Sequence, residues 1–183
     1  MNNIILIGMP GVGKSCIGVV LAKALNMSFI DSEIVIQERM GRPLRDIIGE
    51  IGPDGFLRLE NEINAGITAE NSVIATGGSA VFGGEAMEHF RRIGKIVYLA
   101  ISCADLEERL GDLDERGVIH AKDQTLADIY AQRVPLYERY ADITVWEDGV
   151  WIRFEDMIEA ISASLGRPAI PGEREQKENT ADN

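Results

Sequence analysis

The sequence predicts an α/β domain in which a parallel sheet lies between two layers of helices. Three observations carry that prediction. Short apolar runs alternate with longer helical patterns, the runs are apolar on both faces, and glycine turns or capping signals separate each run from the next pattern.

Taken in order, Ile4 to Ile7 reads as a buried strand, followed by a glycine-rich turn and a helix to about Leu25. Ser28 to Ile30 is a short strand, and helical stretches follow over about Ser32 to Met40, Pro43 to Ile48 and Gly55 to Ala69. Ser72 to Ala75 is the next strand, then a glycine turn, a helix over Glu85 to Ile93 and a strand from Lys95 to Ile101. Ser102 with Asp105, and Thr125 with Asp128, have the hydroxyl-x-x-acid spacing that caps a helix start. Ile143 to Trp146 is the last strand and Phe154 to Leu165 the closing helix, with no internal repeat. Two segments break the pattern. Residues 111–124 (GDLDERGVIHAKDQ) are too polar to pack as core and read as a mobile flap; from Gly166 onward the chain reads as a disordered polar tail, leaving a single domain over 1–165.

Composition narrows the function. At 183 residues and 45% hydrophobic, the chain is long enough for one substantial core and too apolar to be wholly disordered. No apolar run approaches the ~18 residues that span a bilayer. The apolar stretch near Met1 is short and lacks a basic flank, so it reads as a strand and not a signal peptide. Cys16 and Cys103 follow no metal spacing, which makes a reducing cytoplasm the expected compartment. Thirty acids against eighteen bases give a net charge of −12, which repels nucleic acid and anionic lipid. The expected partner is a small molecule bound where basic groups converge locally, on a monomer.

Gly8-Met9-Pro10-Gly11-Val12-Gly13-Lys14-Ser15 fits G-x-x-x-x-G-K-[ST] and falls between a predicted strand and a predicted helix. Small residues let successive backbone N–H groups turn inward around phosphate oxygens, and the helix start adds its positive end. Gly11, Val12, Gly13, Lys14, Ser15 and Cys16 are therefore the candidate ATP-binding residues. Lys14 would reach the β- and γ-phosphates and the Ser15 hydroxyl would ligate Mg²⁺. By average residue usage the pattern arises by accident in roughly one chain of this length in a hundred or fewer. No Asn-Lys-x-Asp tetrapeptide of the kind that reads guanine is present. The short length and the flap favour a small phosphoryl-transfer enzyme of the nucleoside monophosphate kinase architecture.

Beyond the loop, Phe29-Ile30-Asp31-Ser32-Glu33, Gly41-Arg42, Phe56 with Glu60, Gly77-Gly78, Arg109, Arg116 and Arg133-Val134-Pro135-Leu136-Tyr137 follow in order. This ordered set resembles the shikimate kinases from Ile4 to about Leu165. The resemblance implies a five-stranded parallel sheet, acceptor-binding helices over about 32–69, a flap closing over ATP, and γ-phosphoryl transfer to the hydroxyl of a small metabolite, shikimate first. Asp31 matches the acid that helps hold Mg²⁺ through water; by itself it would also make an N-cap for the helix at Ser32. Arg109 matches the arginine that lies against adenine, and Arg116 the flap arginine that reaches the transferring phosphate. Arg133 matches an arginine on the substrate carboxylate, the alternative being a surface pair with Glu138. Gly77 and Gly78 would let the backbone approach the acceptor, or simply make a strand-to-helix turn.

Departures from the family pattern gather on the acceptor side. The acid that orients or deprotonates the acceptor hydroxyl is Glu33 where the family has aspartate, one methylene longer. The arginine of F-R-x-x-E is Leu57, and Arg58 lies about 100° further round the helix. The third glycine of G-G-G is Ser79, and the proline after the flap arginine is Gly117. The expected meaning is retained kinase chemistry with Lys14, Glu33 and Arg116 as catalytic residues and an altered pocket of Glu33, Leu57, Gly77, Gly78, Ser79 and Arg133. Two other readings stay open: a kinase for a different hydroxyl compound, and a catalytically weak ATP-binding protein. His89 and His120 read as solvated, Cys16 as packing, and Trp146 and Trp151 as core or edge aromatics.

Overall fold

The computed structural model describes residues 2–110, 124–147 and 153–167. Apart from Gln124 the predicted flap lies outside these residues, with Arg116, Gly117 and His120; so do Trp151 and the predicted tail beyond Arg167. In chain order the described elements are β1 (Asn3–Ile7), α1 (Lys14–Ala24), β2 (Ser28–Asp31), α2 (Ser32–Met40), α3 (Leu44–Ala65), β3 (Ser72–Ala75), a 3₁₀ turn (Ala80–Phe82), α4 (Gly84–Ile93), β4 (Gly94–Ala100), α5 (Cys103–Leu110), α6 (Leu126–Tyr140), β5 (Ile143–Trp146) and α7 (Phe154–Ser164).

The five strands form one parallel sheet in the order β2-β3-β1-β4-β5, with Ile5 in register with Ile74 on one side and Ile96 on the other. Every residue of β1 is buried, as a central parallel strand covered on both faces requires. Because all strands run the same way, the carboxyl ends of β1, β2 and β3 open on one edge of the sheet, where α/β folds bind ligands. Ile4 to Ile7, Val73, Ile74 and Ile96 to Leu99 fill the main core between the helical layers. A separate small cluster of Ile36, Ile47, Phe56 and Ile63 joins α2 to α3 and so fixes the two helices that flank the carboxyl edge.

Local chemistry sets the element ends. Asp31 caps α2 by accepting from the N–H groups of Glu33 (3.0 Å) and Ile34 (3.4 Å). Both predicted hydroxyl–acid caps are present. The Ser102 hydroxyl accepts from Asp105 N–H at 3.0 Å, and Thr125 and Asp128 form a reciprocal capping box. The predicted break between Pro43–Ile48 and Gly55–Ala69 is present within α3, where non-helical Gly52 (φ 69°, ψ 171°) precedes Pro53 and kinks the chain between two helical stretches. That helix stops at Ala65, closed by Gly66, so residues 66–69 are not helical as predicted. Gly166 and Arg167, read from composition as the start of the tail, instead close α7, with Arg167 N–H bonded to the Ser162 carbonyl at 2.9 Å. His89 is not simply solvated: its Nε2 lies 2.7 Å from the Ile67 carbonyl. Trp146 is an edge-strand aromatic, 62% exposed. Among the described residues no helix is long and apolar enough to cross a membrane.

One buried asparagine fastens the amino end of the sheet. The Asn3 amide donates to the carbonyls of Ala69 (2.8 Å) and Ile93 (3.0 Å), and its oxygen accepts from Ser72 N–H (3.0 Å). Asn3→Ala strands three backbone groups in a dry environment and is expected to lower unfolding free energy by about 2–4 kcal/mol, read from urea denaturation. A loss below ~1 kcal/mol would show that water replaces the amide.

Candidate active site

The loop between β1 and α1 takes the form its sequence demands. Gly11 (φ 81°) and Gly13 (φ 91°) adopt left-handed backbone that a side chain would strain. Gly13 brings no capping side chain to α1, so the N–H groups of the helix's first turn are left for an anion. Lys14 folds back over the loop, its Nζ donating to the carbonyls of Gly8 and Met9 at 2.9 Å each. It is 7% exposed, and burial pulls its ammonium down to about 8 against the opposing attraction of Glu33. Val12 buries its side chain in the main core, and its N–H bonds the Met9 carbonyl at 3.3 Å. The Cys16 side chain is exposed and does not pack, correcting the expectation.

Beside the loop, the Ser15 hydroxyl donates to Asp31 Oδ2 at 2.6 Å. Asp31 ends β2 at the carboxyl edge and uses its other oxygen to cap α2, so the two roles open to it from sequence are filled together. A serine hydroxyl and one carboxylate at the loop's edge fit Mg²⁺, a hard cation held by few protein oxygens together with water and phosphate.

Behind this pair lies a cluster that no single stretch of sequence contains. Glu33, half-buried in the first turn of α2, has its carboxyl raised by burial, and Asp31 adds to the rise while Lys14 opposes it. Glu60, on α3, is 1% exposed; its Oε2 accepts from the Ser79 hydroxyl at 2.6 Å. Burial pushes Glu60 up to about 7, with Ser79, Arg133 and Lys14 pulling the other way and Glu33 reinforcing the rise. Gly77 is where the two acids converge. A Cβ there would stand 2.3 Å from Glu60 Oε1 and 3.1 Å from Glu33 Oε1, so any side chain would push the two carboxyls aside. Gly78 is pressed against the loop in the same way, since a Cβ would meet Pro10 Cδ at 2.6 Å. The Gly78 carbonyl accepts from Tyr137 Oη at 2.6 Å. Arg133 is 3% exposed, its guanidinium carbon 5.6 Å from the Phe82 ring centroid, and is no surface pair.

The predicted site residues thus divide. Lys14, Ser15, Asp31, Glu33, Gly77, Gly78, Ser79 and Arg133 gather at the carboxyl edge through direct contacts or mutual electrostatic influence. Leu57 is half-buried one helical turn before Glu60 on the same side of α3, and Arg58 is exposed. Arg109 ends α5 in a buried ion pair with Glu147 Oε2 at 2.9 Å, a partner not foreseen from sequence. Arg116 lies outside the described residues. Sequence reasoning used Glu60 only to align the segment. A signal was available, since an acid recurring with Phe56 and Ile63 on the buried stripe of α3 needs a partner.

Comparison with known proteins agrees with this geometry. The family model for shikimate kinase matches residues 10–177. A shikimate kinase of Francisella tularensis subsp. novicida is 37% identical over 173 residues, covering 92% of this chain and 97% of the relative. The fold is similar to a shikimate kinase from Acinetobacter baumannii in complex with shikimate, with a TM-score of 0.80, 28% identity, and coverage of 91% of this chain and 94% of that one. It is similar also to the shikimate kinase of Aquifex aeolicus (TM-score 0.75, 29% identity, coverage 90% and 96%).

The raised Glu60 carboxyl sets a pH dependence of stability. Between about pH 4.5 and 7 the folded protein keeps a proton that the unfolded chain has released, so stability falls as pH rises through that window. Glu60→Gln removes the proton and the slope with it. Relative to the variant, the natural chain should lose on the order of 3 kcal/mol across that range in denaturant titrations. Parallel curves would show that Glu60 is not held in its neutral form.

Proposed function

The chain belongs to the shikimate kinase family, and from that premise we propose that it moves the γ-phosphoryl group of ATP to a hydroxyl of shikimate, using the residues gathered at the carboxyl edge of the sheet. It is an ATP-dependent phosphotransferase acting on a hydroxyl group. The observation that best supports the residue assignments is the convergence of Lys14, the Ser15–Asp31 pair and Glu33 beside Gly77.

In this reading the domain runs to Arg167, with α2 (Ser32–Met40) and α3 (Leu44–Ala65) as the acceptor-binding helices. Gly11 to Cys16 wrap the phosphates through backbone N–H groups, and Lys14 exchanges its two loop carbonyls for phosphate oxygens. Ser15 and Asp31 would hold Mg²⁺, which when bound neutralises charge on the β- and γ-phosphates. Glu33 orients the acceptor hydroxyl and takes its proton as the O–P bond forms. Its partly desolvated carboxyl holds a proton more readily than an exposed one, as a proton acceptor requires. The extra methylene relative to aspartate moves the hydroxyl by roughly an ångström, and positioning errors of that size cost ~10²-fold in rate unless the pocket moves with them. Arg109 lies against adenine and Arg116 completes the cationic clamp on the transferring group.

Arg133 grips the acceptor carboxylate from α6. Leu57 adds no second fork, so the grip is weaker than a two-arginine site would give.

Two measurements test this. ADP release should saturate with shikimate, and Lys14→Met should lower kcat by ~10²-fold or more while the protein stays folded; failure of shikimate to stimulate ADP release would overturn the acceptor. Leu57→Arg should lower the KM for shikimate by about 10-fold, the worth of one charged hydrogen-bonded contact. An unchanged KM in a folded variant would remove Leu57 from the pocket.

A further inference from the structure

The run Arg133-Val134-Pro135-Leu136-Tyr137 ends in a tyrosine to which the proposed mechanism gives no task. Tyr137 is wholly buried on α6, its ring stacked on Tyr98 of β4 with centroids 5.1 Å apart. A phenylalanine would fill the same space and make the same stack, so the hydroxyl calls for its own explanation. Burying a hydroxyl is unfavourable unless it is hydrogen-bonded, and this one is used in both directions. It donates to the Gly78 carbonyl at 2.6 Å and forms a hydrogen bond with the Arg133 guanidinium, one helical turn earlier. A guanidinium only donates, so the hydroxyl oxygen accepts from Arg133 while its own proton goes to Gly78. Both partners belong to the site. Gly78 abuts Pro10 of the phosphate loop, and Gly77 borders the Glu33 and Glu60 carboxyls. Two consecutive glycines have wide backbone freedom, and the Tyr137 hydroxyl supplies a restraint that their missing side chains cannot.

We propose that Tyr137 is a positioning residue for the acceptor: its hydroxyl holds the Arg133 guanidinium at a set place relative to the Gly77–Gly78 turn, and through Gly78 relative to the phosphate loop. Tyr137 touches neither substrate. Its contribution is to keep the acceptor carboxylate and the phosphoryl donor in one spatial relation as both sites fill. With leucine at position 57, Arg133 carries the carboxylate without a second fork, so its orientation matters the more. This inference rests on Arg133 being the acceptor's cation, as assigned above.

The test is Tyr137→Phe, which removes one oxygen and keeps the ring, with thermal melting to show that the variant is folded. Kinetics are run with shikimate and with its carboxamide, which keeps the hydroxyls and loses the anionic charge. Tyr137→Phe should raise the KM for shikimate about 10-fold, the worth of one hydrogen bond to a charged group, and leave the KM for ATP within about 2-fold. The preference for shikimate over the carboxamide, as a ratio of kcat/KM values, should fall by a similar factor. A general loosening of the core would lower the melting temperature and leave that ratio where it was. Added to Arg133→Met, Tyr137→Phe should cost less than about 2-fold further, because the group it positions is gone. An unchanged ratio in folded Tyr137→Phe, or an equal cost with and without Arg133, overturns the proposal. Proton NMR of the arginine side chains in the ligand-free protein, assigned with Arg133→Lys, gives an independent readout. Exchange of the Arg133 N–H protons with water should quicken about 10-fold in Tyr137→Phe, and unchanged exchange likewise overturns the proposal. If the natural chain does not distinguish shikimate from the carboxamide, the role given to Arg133 fails, while the exchange measurement still decides whether Tyr137 holds it.

Discussion

Lys14, Glu33, Glu60 and Arg133 come from four different helices and bring two cations and two carboxylates together, all but the half-buried Glu33 shielded from water. Any one of them alone would be expensive to bury, because the attraction of water for a charge has to be replaced by partners of fixed geometry. Here the opposite charges moderate one another, while Arg133 works against Lys14 and Glu33 against Glu60. Glu33 and Glu60 support the Lys14 ammonium against desolvation, and Lys14 and Arg133 support the Glu60 carboxylate. Lys14 near 8 and Glu60 near 7 are both poised close to neutrality. In the proposed reaction, a polyphosphate beside Lys14 would add negative charge that further favours its ammonium.

The scaffold makes this cluster possible by bringing strand ends together and by stopping its helices in the right places. The loop hangs from β1, the middle strand, between β3 and β4. Asp31 and Gly77 arrive at the same edge because β2 and β3 run parallel to it and in register, Asp31 opposite Ala75. Phe56 buries itself with Ile36, Ile47 and Ile63, and that anchor turns Glu60, one helical turn on, toward Gly77 instead of solvent. The kink at Gly52 redirects α3, which packs against both α2 and α4. Fold and site are thus the same set of contacts seen from two sides.

Legibility in the sequence follows the range of the interaction. The phosphate loop was readable because backbone conformation, cation and hydroxyl all fall within eight consecutive residues. The caps at Asp31, Ser102 and Thr125 were readable for the same reason. The kink in α3 was half-readable: Gly52-Pro53 marks a break, but whether the chain unwinds or merely bends depends on packing against α2 and α4. What could not be read were the partners distant in sequence, such as Ser79 for Glu60 across 19 residues, Glu147 for Arg109 across 38, and Asn3 for Ser72 across 69. Each uses residue types that occur as ordinary surface groups, and only the sheet order decides which of them meet. Burial of an acid on an apolar helix stripe is the one hint that local pattern gives, and it says that a partner exists without saying which.

The Arg109–Glu147 pair shows how a contact found only in the structure bears on a role expected from sequence. A guanidinium is a plane with donors around its rim, and a carboxylate engages that rim. An aromatic base does the opposite, stacking on the face of the plane. The two demands are therefore compatible, and the first assists the second. Fixing a long side chain with an ion pair that is 13% and 2% exposed removes rotamer freedom that would otherwise be lost on nucleotide binding. Glu147 is held in turn by its own backbone, whose N–H bonds the Ala100 carbonyl at the end of β4 at 2.8 Å. The orientation of the arginine is thereby referred to the central sheet rather than to the surface of α5.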